Sequence, residues 1–275
     1  MRRWFRTCLI GLSLCLSLPA FAAIQTREIP YKAPDGTSLI GYYAYDDSVK
    51  GARPGVIVVH EWWGLNDYAR RRARELAGLG YAALAIDMFG DGKHTEHAHD
   101  AKAWMESATS DAAVSMARAQ AGLDLLKAQP EVDAKKLAAI GYCFGGKIVL
   151  DMARTGMDLA GVVSFHGVLA TATPAEKGKV HARVLVLNGA DDSFIPADAV
   201  AAFKKEMDDA KVDYRFVNYA GAHHAFTSPD ADRLAKDNNL DLAYNAKADK
   251  ASWKEMRKFF QQIFNEHPYL RMMGY

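Results

Sequence analysis

The sequence predicts an α/β protein in which a mostly parallel, twisted sheet carries helices on both faces. Three observations predict it. Short apolar runs unbroken by charge recur along the chain, helical patterns lie between them, and an opening hairpin-like segment turns at Pro34-Asp35-Gly36. Continuous apolar runs are what strands covered on both faces look like, and alternating strand and helix builds a parallel sheet.

The first 22 residues, "MRRWFRTCLIGLSLCLSLPAFA", carry Arg2, Arg3 and Arg6, then a Leu-rich core and an Ala20-Phe21-Ala22 ending. This pattern predicts a signal peptide over 1–22, cut after Ala22. Its apolar core is shorter than the ~20 residues a spanning helix needs. The Leu run favours the general secretory route over the twin-arginine one, and Leu14 before Cys15 argues against a lipoprotein signal. A soluble, periplasmic protein is expected, with residues 23–275 as one domain. Cleavage removes three of the 34 basic residues and none of the 33 acidic ones, leaving 31 against 33. Such near-neutrality gives no electrostatic case for nucleic acid or membrane partners, and monomer is the default. Cleavage also leaves Cys143 as a lone thiol, so the fold must rest on its apolar core without a disulfide.

The elements follow in order. "TREIPYKAPDGTSLIGYYAYD" reads as the opening hairpin. The buried strands are "GVIVVHE" (55–61), "YAALAIDMF" (81–89), "KLAAIGYC" (136–143), "LAGVVSFHG" (159–167), "ARVLVLNGAD" (182–191) and "YRFVNYAG" (214–221). The helices between them are "DYARRRARELAGLG", "SDAAVSMARAQAGLDLLKAQ", "GGKIVLDMARTG" and "PADAVAAFKKEMDDAK", each with apolar residues at three-to-four spacing. A last helix sets Trp253, Met256, Phe259, Phe260, Ile263 and Phe264 on one stripe. The polar, His-rich stretch 91–109 reads as a loop and short helix over one edge of the sheet.

Chemistry enters at "IGYCFGGKIVL" (140–150), where a buried strand breaks into glycines and a helix begins at once. Gly141-Tyr142-Cys143-Phe144-Gly145 is the G-x-nucleophile-x-G elbow, whose turn leaves no room for side chains two residues either side of the nucleophile. Gly141, Gly145 and Gly146 meet that demand. Cys143 then projects near the positive end of the following helix, which favours a thiolate. An acid and a base should follow in that order. "NGADDSFIP" supplies Asp191 and Asp192, with Asp192 preferred for the triad and Asp191 left as a loop or helix-cap neighbour. "YAGAHHAFTSP" supplies His224 as the base and His223 as a flanking loop residue.

With these motifs in place the chain resembles the dienelactone hydrolase family of the α/β-hydrolase superfamily, from about Glu28 to Phe264. The resemblance is carried by "HEWWGLNDYARRRARELAGLGYAALAIDMFGDG", "GYCFGG", "GADDSFIP", "GAHHAF" and "AYNAKADKASWKEMRKFF". It implies an α/β-hydrolase fold, a triad of Cys143, Asp192 and His224, and hydrolysis of small esters or lactones through an acyl-enzyme, with no metal or other cofactor. It also implies a role for Glu61, since the matching Glu in that family contacts the resting thiol and takes its proton when substrate arrives. A thiol masked in this way is spared oxidation in an oxidising compartment. The backbone amides of Trp62 and Phe144 would form the oxyanion hole. Members that open dienelactone grip its carboxylate with two arginines. Here the corresponding neighbourhoods hold Asp91 and Ser228, with Lys93 as the one cation nearby, so dienelactone itself is not the expected substrate.

Three competing readings remain. His94, His97 and His99 beside Glu96 and Asp100 could suggest a metal, but their spacing is not that of a metal-binding helix face, no distant ligand is indicated, and a solvated lid loop is the preferred reading. An α/β-hydrolase relative that only binds a ligand is a second alternative, because fold alone does not guarantee activity. Thiol-disulfide exchange lacks a resolving cysteine.

Overall fold

The computed structural model describes residues 24–265; the expected leader lies outside the described residues. Strands β1 (Ile24–Lys32) and β2 (Ser38–Asp46) pair antiparallel as the expected hairpin. Their turn closes where Gly36, at φ 84°, donates its N–H to the Ala33 carbonyl and Thr37 N–H is taken by the Asp35 carboxylate. The apolar runs become β3 (Arg53–Val59), β4 (Ala82–Ile86), β5 (Val132–Tyr142), β6 (Gly161–Phe165), β7 (Arg183–Gly189) and β8 (Tyr214–Tyr219). Together they form one eight-stranded sheet in the order β1-β2-β4-β3-β5-β6-β7-β8. The last six of these are mutually parallel, and β2 pairs antiparallel with β4.

Helices α1 (Asp67–Ala77) and α7 (Ala246–Asn265) cover one face of the sheet. There Leu76, Met256, Phe259 and Phe260 pack on the strand side chains Val56, Val58, Ile140 and Leu185. On the other face, α3 (Ala112–Lys127), α4 (Phe144–Arg154) and α5 (Ala197–Asp209) pack Leu123, Ile148 and Phe203 against Ile57, Ala139, Val162 and Val184. Two apolar layers thus bury the central strands on both sides, which is why those strands read as unbroken apolar runs.

Two expectations need correction. β8 is half-exposed, because it is the edge strand and has a neighbour on one side alone. The 91–109 stretch holds α2 (Ala98–Thr109), twelve residues long, which sends Met105 and Thr109 into the cleft around Cys143 instead of simply covering a sheet edge. A further helix, α6 (Ala231–Asn238), follows the loop after β8. Winding runs one way from β3 to β4 and the other way from β5 to β8, so the sheet has a switch point between β3 and β5. A crevice opens at the carboxyl ends of strands at such a point. Glu61 and Trp62 follow β3 there, and Cys143 follows β5.

Candidate active site

Cys143 occupies the turn between β5 and α4 with φ 52° and ψ −114°, a strained conformation for a side-chain-bearing residue. The glycines explain how such a turn fits. A Cβ on Gly141 would lie 2.0 Å from the Gly145 carbonyl oxygen, and one on Gly145 would lie 2.3 Å from the Val59 carbonyl oxygen. Gly146 does a different job: its Cβ would meet Gly167 Cα at 2.7 Å, so it lets α4 pack down on the chain leaving β6.

His224 stands across from Cys143, buried, with Nδ1–H donating to Asp192 Oδ2 at 2.8 Å. Its other ring nitrogen is left for the Cys143 side chain, with which it is hydrogen-bonded. Burial works against a charged imidazole, but the Cys143 charge and the hydrogen bonds to Asp192 and Cys143 outweigh it and push the His224 pKa up to about 10. Asp192 is fixed in turn, since it also accepts the Phe194 backbone N–H at 2.9 Å. Asp191 is an exposed loop residue and does not cap α5, whose N-cap is Pro196. His223 turns away to Asp241, 3.3 Å distant.

Glu61 is not a rim carboxylate facing water; it is 2% exposed. Burial pushes its carboxyl up to about 7, with the positive charges of His224 and Arg72 pulling the other way. Among the described residues no hydrogen bond joins it to the Cys143 thiol, whose partner is His224. The residue before it, His60, donates from Nδ1 to the Glu61 carbonyl at 2.6 Å and accepts the Met88 N–H at 3.2 Å, which fixes the chain at the end of β3. Trp62 and Phe144 both line the chamber around Cys143. Neither backbone N–H donates to another group among the described residues, as expected of Phe144 at the first turn of a helix. Trp63 is a core residue.

One participant had no place in the sequence reading. His166, at the end of β6, is buried with φ 40°. Its Nδ1 accepts the Cys143 backbone N–H at 3.1 Å and its Nε2–H donates to Thr227 Oγ1 at 2.7 Å. Burial holds its pKa well below the ordinary value, as does the charge of His224, so the ring is neutral and its acceptor nitrogen stays available to the elbow. Thr227 Oγ1 lies 2.6 Å from Tyr68 Oη, which accepts from Arg72 Nε at 3.4 Å. The one available signal was position: "SFHG" ends a buried strand, as "VVHE" does.

The chamber has a volume of about 310 Å³ and is walled largely by apolar side chains, among them Met105, Phe194 and Leu242. Lys93 is exposed and lies outside its lining, while Ser228 is buried. His94, His97 and His99 stay apart, and Glu96 instead forms a two-pronged ion pair with Arg233 at 2.7 and 2.9 Å. Among the described residues no three His, Cys, Asp or Glu side chains gather as metal ligands.

The profile of the dienelactone hydrolase family matches residues 39–264. Among solved structures, the dienelactone hydrolase-like promiscuous phosphotriesterase P91 from metagenomic libraries is 40% identical, with a TM-score of 0.82 over 88% of this chain and 99% of that one. The structure called m3DLH is 43% identical, with the same TM-score and coverage. A Salmonella typhimurium protein named "Putative carboxymethylenebutenolidase" is 28% identical over 82% of this chain and 84% of its own length.

Proposed function

The chain belongs to the dienelactone hydrolase family, and from that premise we propose that it is an exported, periplasmic hydrolase that cleaves small esters or lactones through an acyl-enzyme on Cys143. The observation that carries the reading is a strained Cys143 sharing one chamber with His224, itself hydrogen-bonded to Asp192.

Each step has a group suited to it. The Cys143 thiolate attacks the carbonyl carbon, so an S–C bond forms and the carbonyl oxygen takes the negative charge. The Trp62 and Phe144 amides, free of protein acceptors, receive that oxyanion. As it collapses the C–O bond breaks, and the His224 imidazolium gives its proton to the departing alkoxide or enolate. Neutral His224 then takes a proton from water, whose oxygen attacks the thioester, and the carboxylic acid leaves as Cys143 is restored. Asp192 holds the imidazole in the tautomer that presents Nε2 to sulfur. Glu61, buried beside His224 and ionising near neutrality, serves as a proton acceptor that helps keep the thiol deprotonated when substrate arrives.

The reading is tested by intact-protein mass spectrometry of the chain quenched during turnover of p-nitrophenyl acetate. An acetyl adduct mapped to Cys143, and lost in Cys143→Ala together with nitrophenol release, is expected. Wild-type turnover by Cys143→Ala would sink the assignment. Export is tested by fractionation, in which the chain recovered from the periplasm should begin at Ala23.

A further inference from the structure

The chamber around Cys143 has two ends. Phe194 packs on His224 and Leu242 bridges to it at one of them, while Thr109, Lys147 and Val168 line the part that adjoins the neighbouring space. Those same three residues border a second, larger cavity of about 690 Å³, walled by Ala113 and Met116 of α3, Ile148 of α4, and the segment 168–173. The two spaces are therefore consecutive parts of one cleft, with the reactive thiol in the smaller part.

Both parts are apolar where a ligand would touch them. The large hydrophobic side chains exposed among the described residues are Phe194 and Val168, and both stand on this cleft. Single exposed apolar side chains need no explanation, but two of them on the rim of one apolar cleft point to an apolar ligand. Its charge is constrained as well. The cation on the shared border is Lys147, and its ammonium is taken up by Asp151 on the same helix face. Asp151 also receives Arg154 at 2.9 Å, so this charge group is closed on itself and leaves no cation committed to gripping a substrate carboxylate. The outer wall is fixed too: Arg154 donates to the Leu169 carbonyl at 2.9 Å and Glu206 accepts the Ala175 N–H at 2.8 Å, which ties the 168–173 segment to α4 and α5.

We infer that the natural substrate is a neutral ester with an extended apolar acyl arm, which runs from Cys143 past Val168 into the trough between α3, α4 and the 168–173 segment. The direction follows from the chemistry and so rests on the function proposed above. His224 must protonate the leaving group, which places the alcohol at the Phe194 end and sends the acyl arm the other way. A chamber of about 310 Å³ alone would suit a compact acyl group, and the adjoining trough is what makes a longer one fit.

The experiment is a series of p-nitrophenyl esters from acetate to octanoate, hydrolysed by the wild-type chain and by Ala113→Trp and Ala172→Trp. Both alanines are exposed on the trough wall, so the larger side chains can fill the trough without invading the core. We expect kcat/KM to rise about threefold per added methylene until the trough is filled, in keeping with the burial of each methylene. Either tryptophan should lower the octanoate-to-acetate ratio at least tenfold. An ester of equal length ending in a carboxylate should fall at least tenfold below its neutral counterpart. A flat chain-length profile in the wild type, or a ratio unmoved by both tryptophans, overturns the inference while acetate turnover leaves the hydrolase reading standing. If acetate is not hydrolysed at all the hydrolase reading fails, and calorimetric binding of the same esters to Cys143→Ala then decides the subsite alone. Tightening with chain length supports the trough and length-independent binding overturns it.

Discussion

The single side chains assigned to the proposed chemistry were legible to different depths. Cys143, Asp192 and His224 could be named because each sits where a strand gives way to a loop and because their order along the chain is fixed. Of the two adjacent aspartates it is Asp192 that receives the His224 N–H. The state of Glu61 could not be read, because burial and Coulombic surroundings are properties of the assembled site. Its consequence is a prediction with a definite sign. The folded-state value, about 7, lies above the ordinary 4.5, so between those values the native chain holds a proton that the unfolded chain has released. The contribution of Glu61 to stability therefore falls as pH rises from about 4.5 to about 7. Glu61→Gln should remove that loss and raise stability at pH 8 by about 2–3 kcal/mol, read in urea melts at pH 5 and pH 8. The same variant should slow acylation and abolish an acid limb of kcat/KM near 7, leaving the basic limb near 10 where His224 gives up its proton. A variant that is less stable at pH 8 and keeps the acid limb would make Glu61 a structural residue.

Whole elements were legible where local period and burial coincide. The elbow is the clearest case, since glycine at Gly141 and Gly145 is demanded by backbone contacts no side chain can relieve. Gly145→Ala would set a Cβ 2.3 Å from the Val59 carbonyl oxygen, so either β3 or the start of α4 must move. We expect a loss of about 3 kcal/mol or more with a matching loss of activity, and a urea midpoint within error of wild type would refute the close approach. Helix α2 was only half seen. Ala101, Trp104, Met105 and Ala108 do carry the helical period, but the polar, His-rich lead-in masks it. Its first turn is anchored by Asn238 of α6, which accepts the Ala98 N–H at 2.8 Å from 140 positions away, a cap that no local pattern records. Strand β5 begins at Val132, earlier than its apolar run, because "VDAKK" pairs beside Arg53 and Pro54 across a register shift where polarity hides the strand.

At the scale of the molecule the alternation of strand and helix made the doubly covered sheet predictable, whereas the link between a helical layer and the site did not show. That link is Arg72 of α1, whose partners lie 155 and 177 positions away. Its guanidinium donates to the Thr227 carbonyl, three residues past His224, and pairs with Asp249 of α7, so one side chain joins the two helices on this face to the loop that bears His224. Removing one partner of a buried pair leaves the other uncompensated, so Arg72→Met should cost about 3–5 kcal/mol in urea unfolding. Arg72→Met with Asp249→Leu should recover much of that, because the more deeply buried partner carboxylate, that of Asp249, is no longer stranded. The second consequence is electrostatic. Arg72 helps hold the Glu61 carboxyl down, so in the double variant Glu61 should titrate above about 7 and the acid limb of kcat/KM should move to higher pH. A recovered stability with an unmoved acid limb would mean that Arg72 braces the fold without tuning the site. Movement of the limb would mean that the charge joining α1 to α7 also sets the protonation of a carboxyl next to His224.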